Sequence, residues 1–180
     1  MTVAETPQEQ RTDGWRFVRC LERLTPAELS RLRFQAEQAR GADVWAYDYF
    51  NALWRPLRRK DYYVPRRPCF LVFLLFPWNP LPNGRGSLGA ALGAARRRVS
   101  SVGAAGITHL LHNAILPAPE EQLASVLLQA ARLLHNHRIP VDWSRLIDDL
   151  DHWGDGGQEV QMHWLKDFGT TPLRKAKGRK

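Results

Sequence analysis

Four groups of residues in this chain are of types that chemistry uses. Gly84-Arg85-Gly86-Ser87-Leu88-Gly89 has the spacing with which glycine-rich turns admit a dinucleotide pyrophosphate, and it follows an apolar run and opens a helix. Against that reading, Pro77, Pro80 and Pro82 separate the run from the glycines, and no acidic residue stands between Asp61 and Glu120 to meet a ribose. The glycines read instead as a tight turn and a helix start suited to close packing. His109 and His112 share a helix face, and His135, His137, His152 and His163 add imidazoles near Asp148, Asp149 and Asp151. Such a set offers ligands to a divalent metal, and with it a metal-dependent hydrolase. It lacks the His-Glu-x-x-His and Cys-x-x-Cys spacings, and Leu110 and Leu111 between the first pair mark an amphipathic helix with surface or half-buried histidines. Neither Cys20 nor Cys69 sits in a nucleophile motif, and Gly-x-Ser-x-Gly is missing. The fourth group is basic and aromatic: Arg55, Arg58, Arg59, Lys60, Arg66 and Arg67 interleave with Tyr62 and Tyr63. Single-stranded nucleic acid is held in this way, by phosphate contacts and base stacking.

The charge distribution supports the last group. Net charge is +8, and it is uneven: residues 55–98 hold 10 basic groups against the single Asp61, and the last eight residues hold 5 basic groups and no acidic one. Residues 99–172 carry 4 basic and 9 acidic groups. A polyanion contacted by the central segment fits this pattern, with the more acidic C-terminal part turned toward protein. The rival account is a solvated basic face.

The elements that must position these residues read as helices almost throughout. Trp15, Val18, Leu21 and Leu24 recur at spacing three, with Arg16, Arg19 and Arg23 on another face. Thr25-Pro26-Ala27-Glu28 combines a capping Thr, a Pro at the first helical position and Glu three residues after the cap, which predicts a helix running to about Ala39. Residues 43–54, dense in aromatics, predict a short buried helix ending before Pro56. Phe70 to Phe76 fits a buried strand or a buried helix equally. Ser87 is placed to cap one long helix, "SLGAALGAARRRVSS". A Gly- and Ala-rich join, Gly103 to Gly106, precedes a helix from Ile107 to Leu116. Pro119-Glu120-Glu121 opens the next, through Leu134, and Asp142 caps another in which Trp143, Leu146, Ile147, Leu150 and Trp153 keep helical spacing. A last helix carries Val160, Trp164, Leu165 and Phe168.

The expected fold is therefore all-α, as two small bundle-like helical lobes: a flexible leader at 1–14, an N-terminal lobe at 15–103, a C-terminal lobe at 104–172 and a basic tail at 173–180. The longest apolar run, Cys69 to Phe76, is eight residues, far short of the roughly 20 that a membrane span needs. No apolar signal core opens the chain, and two cysteines make no disulfide framework, so a cytoplasmic protein with reduced thiols is expected.

The order of "SLGAALG" from Ser87, "LLQAARLL" from Leu127, "IPVDWSRLIDDLDHWG" from Ile139 and "WLKDFGTT" from Trp164 resembles CasB, the small subunit of the type I-E CRISPR surveillance complex Cascade. The resemblance spans most of residues 15–171. It implies a non-catalytic, all-helical protein of two lobes, without a cofactor, present as a pair of copies. Its partners would be guide RNA, the target and displaced DNA strands, and the backbone and large subunits of the complex; no membrane is involved. Family positions for backbone contact carry over to Arg31, Arg66 and Arg132, and the local charge adds Arg33, Arg67, Arg97 and Arg98. Two departures stand out: Ala105-Gly106 where relatives have a basic pair, and Asp155-Gly156-Gly157 where some have basic residues. A stand-alone RNA- or DNA-binding protein is the alternative within the same chemistry, and the His/Asp hydrolase the alternative outside it.

Overall fold

The computed structural model describes residues 12–37 and 44–170. Among them every regular element is helical, in the order α1 (Gly14–Leu21), α2 (Pro26–Glu37), α3 (Val44–Trp54), α4 (Arg66–Leu75), α5 (Leu88–Arg96), α6 (Ser101–His109), α7 (Leu123–Asn136), α8 (Trp143–Asp151) and α9 (Glu159–Thr170). The all-α expectation holds. The leader up to residue 11, the predicted end of the second helix at Ala39 and the tail at 173–180 lie outside the described residues.

Helix starts follow the local chemistry. Thr25 and Glu28 close a reciprocal capping box: the Thr25 amide donates to Glu28 Oε2 at 2.7 Å and the Glu28 amide to Thr25 Oγ1 at 3.3 Å. Ser87 Oγ accepts from the Ala90 amide at 3.2 Å, and Asp142 Oδ1 from the Arg145 amide at 3.0 Å. Residues 70–76, open between strand and helix by pattern, are helical in α4 as far as Leu75 and then tighten into a 3₁₀ turn at Phe76–Trp78.

Three expectations are corrected. The long helix from Ser87 stops at Arg96, because Ser100 takes an extended backbone and its hydroxyl accepts from the Gly103 amide at 3.4 Å, capping α6 afresh. Gly103 to Gly106 accordingly lies inside α6 and is no join; α6 continues through a π-helical turn at Leu110–Ile115. On α1 the buried face is Gly14, Phe17, Val18 and Leu21, and Trp15 is 42% exposed. A strict spacing of three lags the helix by about 60° at each step, so a stripe from Trp15 to Leu24 turns away from the core; the face that stays put alternates three and four. On α3, Phe50 and Trp54 are core, whereas Val44 and Tyr47 are exposed.

One continuous apolar cluster runs from Phe17 to Phe168. Helix α8 packs on α1 and α4, α7 on α4 and α5, and α5 lies along α9. The expected stripe is core in full: Trp143, Leu146, Ile147 and Leu150 on α8, and Trp153 in the turn just beyond it, are all buried. The α5–α9 seam explains the glycine pattern. A Cβ on Gly89 would stand 2.6 Å from the Trp164 carbonyl carbon and 2.7 Å from its Cα, closer than real Cβ atoms approach anything. Gly86 adopts φ +91°, which glycine alone takes without strain. Gly89→Ala is expected to cost about 2 to 3 kcal/mol, because the obstacle is backbone and neither helix can move without opening the core. Urea unfolding measures it; a midpoint equal to wild type would mean that the seam has slack.

Candidate nucleic-acid interface

Among the described residues the basic connector supplies a dense positive surface. Arg55, Arg58, Arg59, Lys60, Arg66 and Arg67 are all exposed. Pro56 sits in a 3₁₀ turn at Arg55–Leu57 that ends α3, and Pro65 in extended conformation starts α4 with Arg66 and Arg67 in its first turn. The chain therefore folds back beside α3, bringing the connector's cations to that helix's aromatic side chains. Arg66 Nη2 donates to the Tyr47 hydroxyl and to Asn51 Oδ1, the latter at 3.3 Å. Its guanidinium carbon lies 5.1, 5.9 and 5.5 Å from the rings of Tyr47, Phe50 and Trp54, and that of Arg58 lies 5.4 Å from the Trp54 ring. The indole N–H of Trp54 donates to the Val64 carbonyl at 3.1 Å, which fixes the shelf under both arginines. The hydrogen bond from Arg66, with its charge and that of Arg55, holds the Tyr47 hydroxyl below its usual pKa.

The other expected residues are distributed over three places. Arg31 lies 3.7 Å from the centroid of Trp45, joining α2 to α3. Arg33 and Arg132 meet at the 3₁₀ turn after α4: Arg33 Nε donates to the Pro77 carbonyl at 2.6 Å, and Arg132 stacks 3.8 Å above the Trp78 ring. Arg97 is the half-buried C-cap of α5, and Arg98 Nη1 donates to the His137 carbonyl at 2.7 Å, where the C-terminal end of α7 attracts a cation. Arg67 pairs with Glu120 at 2.6 Å although its side chain is 71% exposed. Arg33 and Arg98 thus also serve the fold, and Arg67 has part of its charge offset.

The match to known proteins falls on this framework. A family model described as CRISPR-associated protein Cse2 matches residues 27–168. The chain belongs to the Cse2 family. Among solved structures, the crystal structure of CasB from M. ruber is 27% identical, with a TM-score of 0.62 over 86% of this chain and 91% of that one. A Cse2-family CRISPR-associated protein from Thermus thermophilus is 25% identical, with a TM-score of 0.69 over 88% of this chain and 99% of that one. CasB from Thermobifida fusca, at 22% identity and a TM-score of 0.54 over 89% and 94%, shares the fold. No curated protein sequence matches the chain. The resemblance to CasB read from the motifs therefore stands at the level of the family.

Two half-buried arginines of this Cse2 protein share the aromatic setting and were not among the candidate contacts read from sequence. Arg16 lies 3.7 Å from the Tyr62 centroid and 4.5 Å from that of Trp15, and Arg96 lies 4.1 Å from that of Phe168. The adjacency of Trp15 and Arg16 was the available signal; the contact with Tyr62 crosses the fold and left no local trace. The histidines are dispersed. His112 meets the edge of Phe168, His152 Nδ1 contacts the Asp148 carbonyl, and His163 lies between Arg145 and Asp167. Among the described residues no three His, Cys, Asp or Glu side chains converge as a metal site, and no helix is long and apolar enough to cross a membrane.

Proposed function

We propose that this protein is a non-catalytic subunit of a Cascade-type CRISPR surveillance complex. It binds guide RNA and target DNA through their backbones, without reading sequence, and stabilises the strand-exchanged state in antiviral defence. Two copies line the nucleic-acid path beside the backbone and large subunits, and the displaced strand is a further partner. Replacing a DNA duplex by a heteroduplex is nearly balanced in energy, so modest backbone contacts suffice to tip it. The observation that carries this reading is the exposed arginine patch over the Tyr47 and Trp54 shelf, in a segment whose sole acidic residue is Asp61. Guanidinium groups suit the role because they donate to phosphate and stack on flat rings. Arg31, Arg33, Arg97, Arg98 and Arg132 extend the contact surface outside that patch, and Arg67 adds the part of its charge that Glu120 leaves.

Alone, the protein is expected to bind DNA and RNA weakly and without base preference. Log affinity for duplex DNA should fall against log salt with a slope of about −0.9 per phosphate neutralised. A salt-insensitive, sequence-selective interaction would overturn the reading. Expression with the remaining Cascade subunits and guide RNA decides between a complex subunit and a stand-alone binder: the tagged chain is expected to bring both with it, and recovery free of them favours the stand-alone protein.

A further inference from the structure

We infer that Tyr47 and Asn51 are positioning residues, holding the Arg66 guanidinium through neutral acceptors so that its full charge faces a nucleic-acid phosphate. The inference rests on the proposed function and adds how one contact is built.

The first turn of α4 is a poor place for cations. The helix N-terminus carries partial positive charge, the turn contains Arg66 and Arg67, and it contains no acid. The two arginines are held there differently. Arg67 reaches out to Glu120 and forms an ion pair. Among the described residues Arg66 has no carboxylate partner: its Nη2 donates to the Tyr47 hydroxyl and to Asn51 Oδ1, and rings lie within 6 Å of its guanidinium carbon. Asn51 is buried, and one guanidinium nitrogen bridges it and the Tyr47 hydroxyl at the edge of α3. The phenol ring is itself set by its edge-to-face contact with Phe70, at 6.0 Å. Each partner of Arg66 in this arrangement is neutral.

Neutral partners have two consequences. They immobilise a long side chain before any ligand arrives, which removes rotamer entropy from the cost of binding. They also leave the charge uncancelled, where a carboxylate would compete with phosphate for the same donors. Both hydrogen bonds run from Nη2, so an incoming phosphate oxygen would be met by Nε and Nη1. The lowered pKa of Tyr47 reports the same contact from the other side, since the hydrogen bond from Arg66 is its largest cause.

Binding of the full-length protein to a fluorescent oligothymidylate, measured at several salt concentrations, tests the inference. Arg66→Gln is expected to weaken binding roughly tenfold at 0.1 M salt and to flatten the slope by about 0.7, the single-strand value for one phosphate. Asn51→Asp is expected to flatten the slope equally while leaving the melting temperature at or above wild type, because it gives Arg66 the carboxylate that the native site withholds. A purely structural role for Asn51 would leave both slope and affinity untouched in that variant. Tyr47→Phe should weaken binding about three- to fivefold with the slope unchanged, since the charge is kept and only its placement is lost. The ultraviolet titration of Tyr47, isolated as the difference from Tyr47→Phe, should move up in pH in Arg66→Gln. If Arg66→Gln weakens binding while Asn51→Asp and Tyr47→Phe bind as wild type, the positioning role is wrong and the function stands. If Arg66→Gln itself binds as wild type, the patch is not the nucleic-acid contact and both fail.

Discussion

Trp164→Ala is expected to bring the protein close to its unfolding limit. The indole is fully buried, its centroid lies 5.0 Å from that of Trp153, and its N–H donates to Asp149 Oδ2 at 2.6 Å. Removing so large a buried ring costs about 3 to 5 kcal/mol through lost transfer energy and a cavity that the α5–α9 seam cannot close. The loss of its N–H also takes a hydrogen bond from a largely buried acid, a further about 1 kcal/mol or more. Small domains have roughly 5 to 15 kcal/mol in all, so the sum is a large share. Burial raises the Asp149 pKa above the ordinary carboxylate value, and the bond from Trp164 is the first influence opposing it, ahead of Arg145. An acid whose folded pKa is raised adds stability at low pH and loses it as pH climbs through that folded pKa. Trp164 counters this loss, so Trp164→Phe, which keeps most of the ring, should show its greatest deficit near neutral pH. The deficit should shrink as pH falls below the Asp149 pKa. Urea midpoints for both variants across pH decide the matter: a pH-independent deficit would break the link to Asp149, and an unchanged midpoint in Trp164→Ala would mean an indole that contributes nothing to the core.

What could be read from sequence here was local. The capping Thr25, Ser87 and Asp142 satisfy amides three residues on, and the stripe from Trp143 to Trp153 needs only the helical period to be core. The break between α5 and α6 was hidden because Ala94, Ala95 and Arg96 to Arg98 favour helix up to the junction; what stops it is Ser100 capping α6, where Ser101 beside it offers the same pattern. The glycines at 84–89 were read correctly as turn and packing residues, but the partner of Gly84, the Pro140–Val141 backbone, and that of Gly89, the Trp164 backbone 75 positions on, left no signal beside them. The site was legible in charge and illegible in geometry. A count of cations along residues 55–67 locates the patch; that Arg66 would meet neutral groups on α3 while Arg67 found Glu120 depends on how the connector folds back. Likewise Arg33 and Arg132, 99 positions apart, share the turn at Pro77 and Trp78 only through the packing of α2 and α7 around it.

Neutralising the patch should have the largest functional effect. Arg58 and Arg66 lie against one aromatic shelf, exposed Arg55 opens the turn beside it, no ion pair offsets any of the three among the described residues, and Asp61 is the segment's only acid. Each phosphate contact with duplex DNA contributes about 0.9 to the salt slope, which near 0.1 M salt is roughly tenfold in affinity. Converting all three to Gln should therefore weaken target binding by two to three orders of magnitude, with the slope reduced by about 2.7. Neutral Gln is preferable to Glu because it removes attraction without adding repulsion, so the change in slope counts contacts. The cost to stability should be small, since Arg55 and Arg58 are exposed and Arg66 bonds only neutral groups. The control is Arg97 and Arg98 changed to Gln: Arg98 holds the His137 carbonyl, so this pair should lower the melting temperature more and the slope less. Backbone contacts carry no base information, so the triple variant should lose affinity equally for matched and partly mismatched targets. Loss confined to matched targets would place these arginines in sequence reading, and an unchanged slope would make the central segment a solvated face.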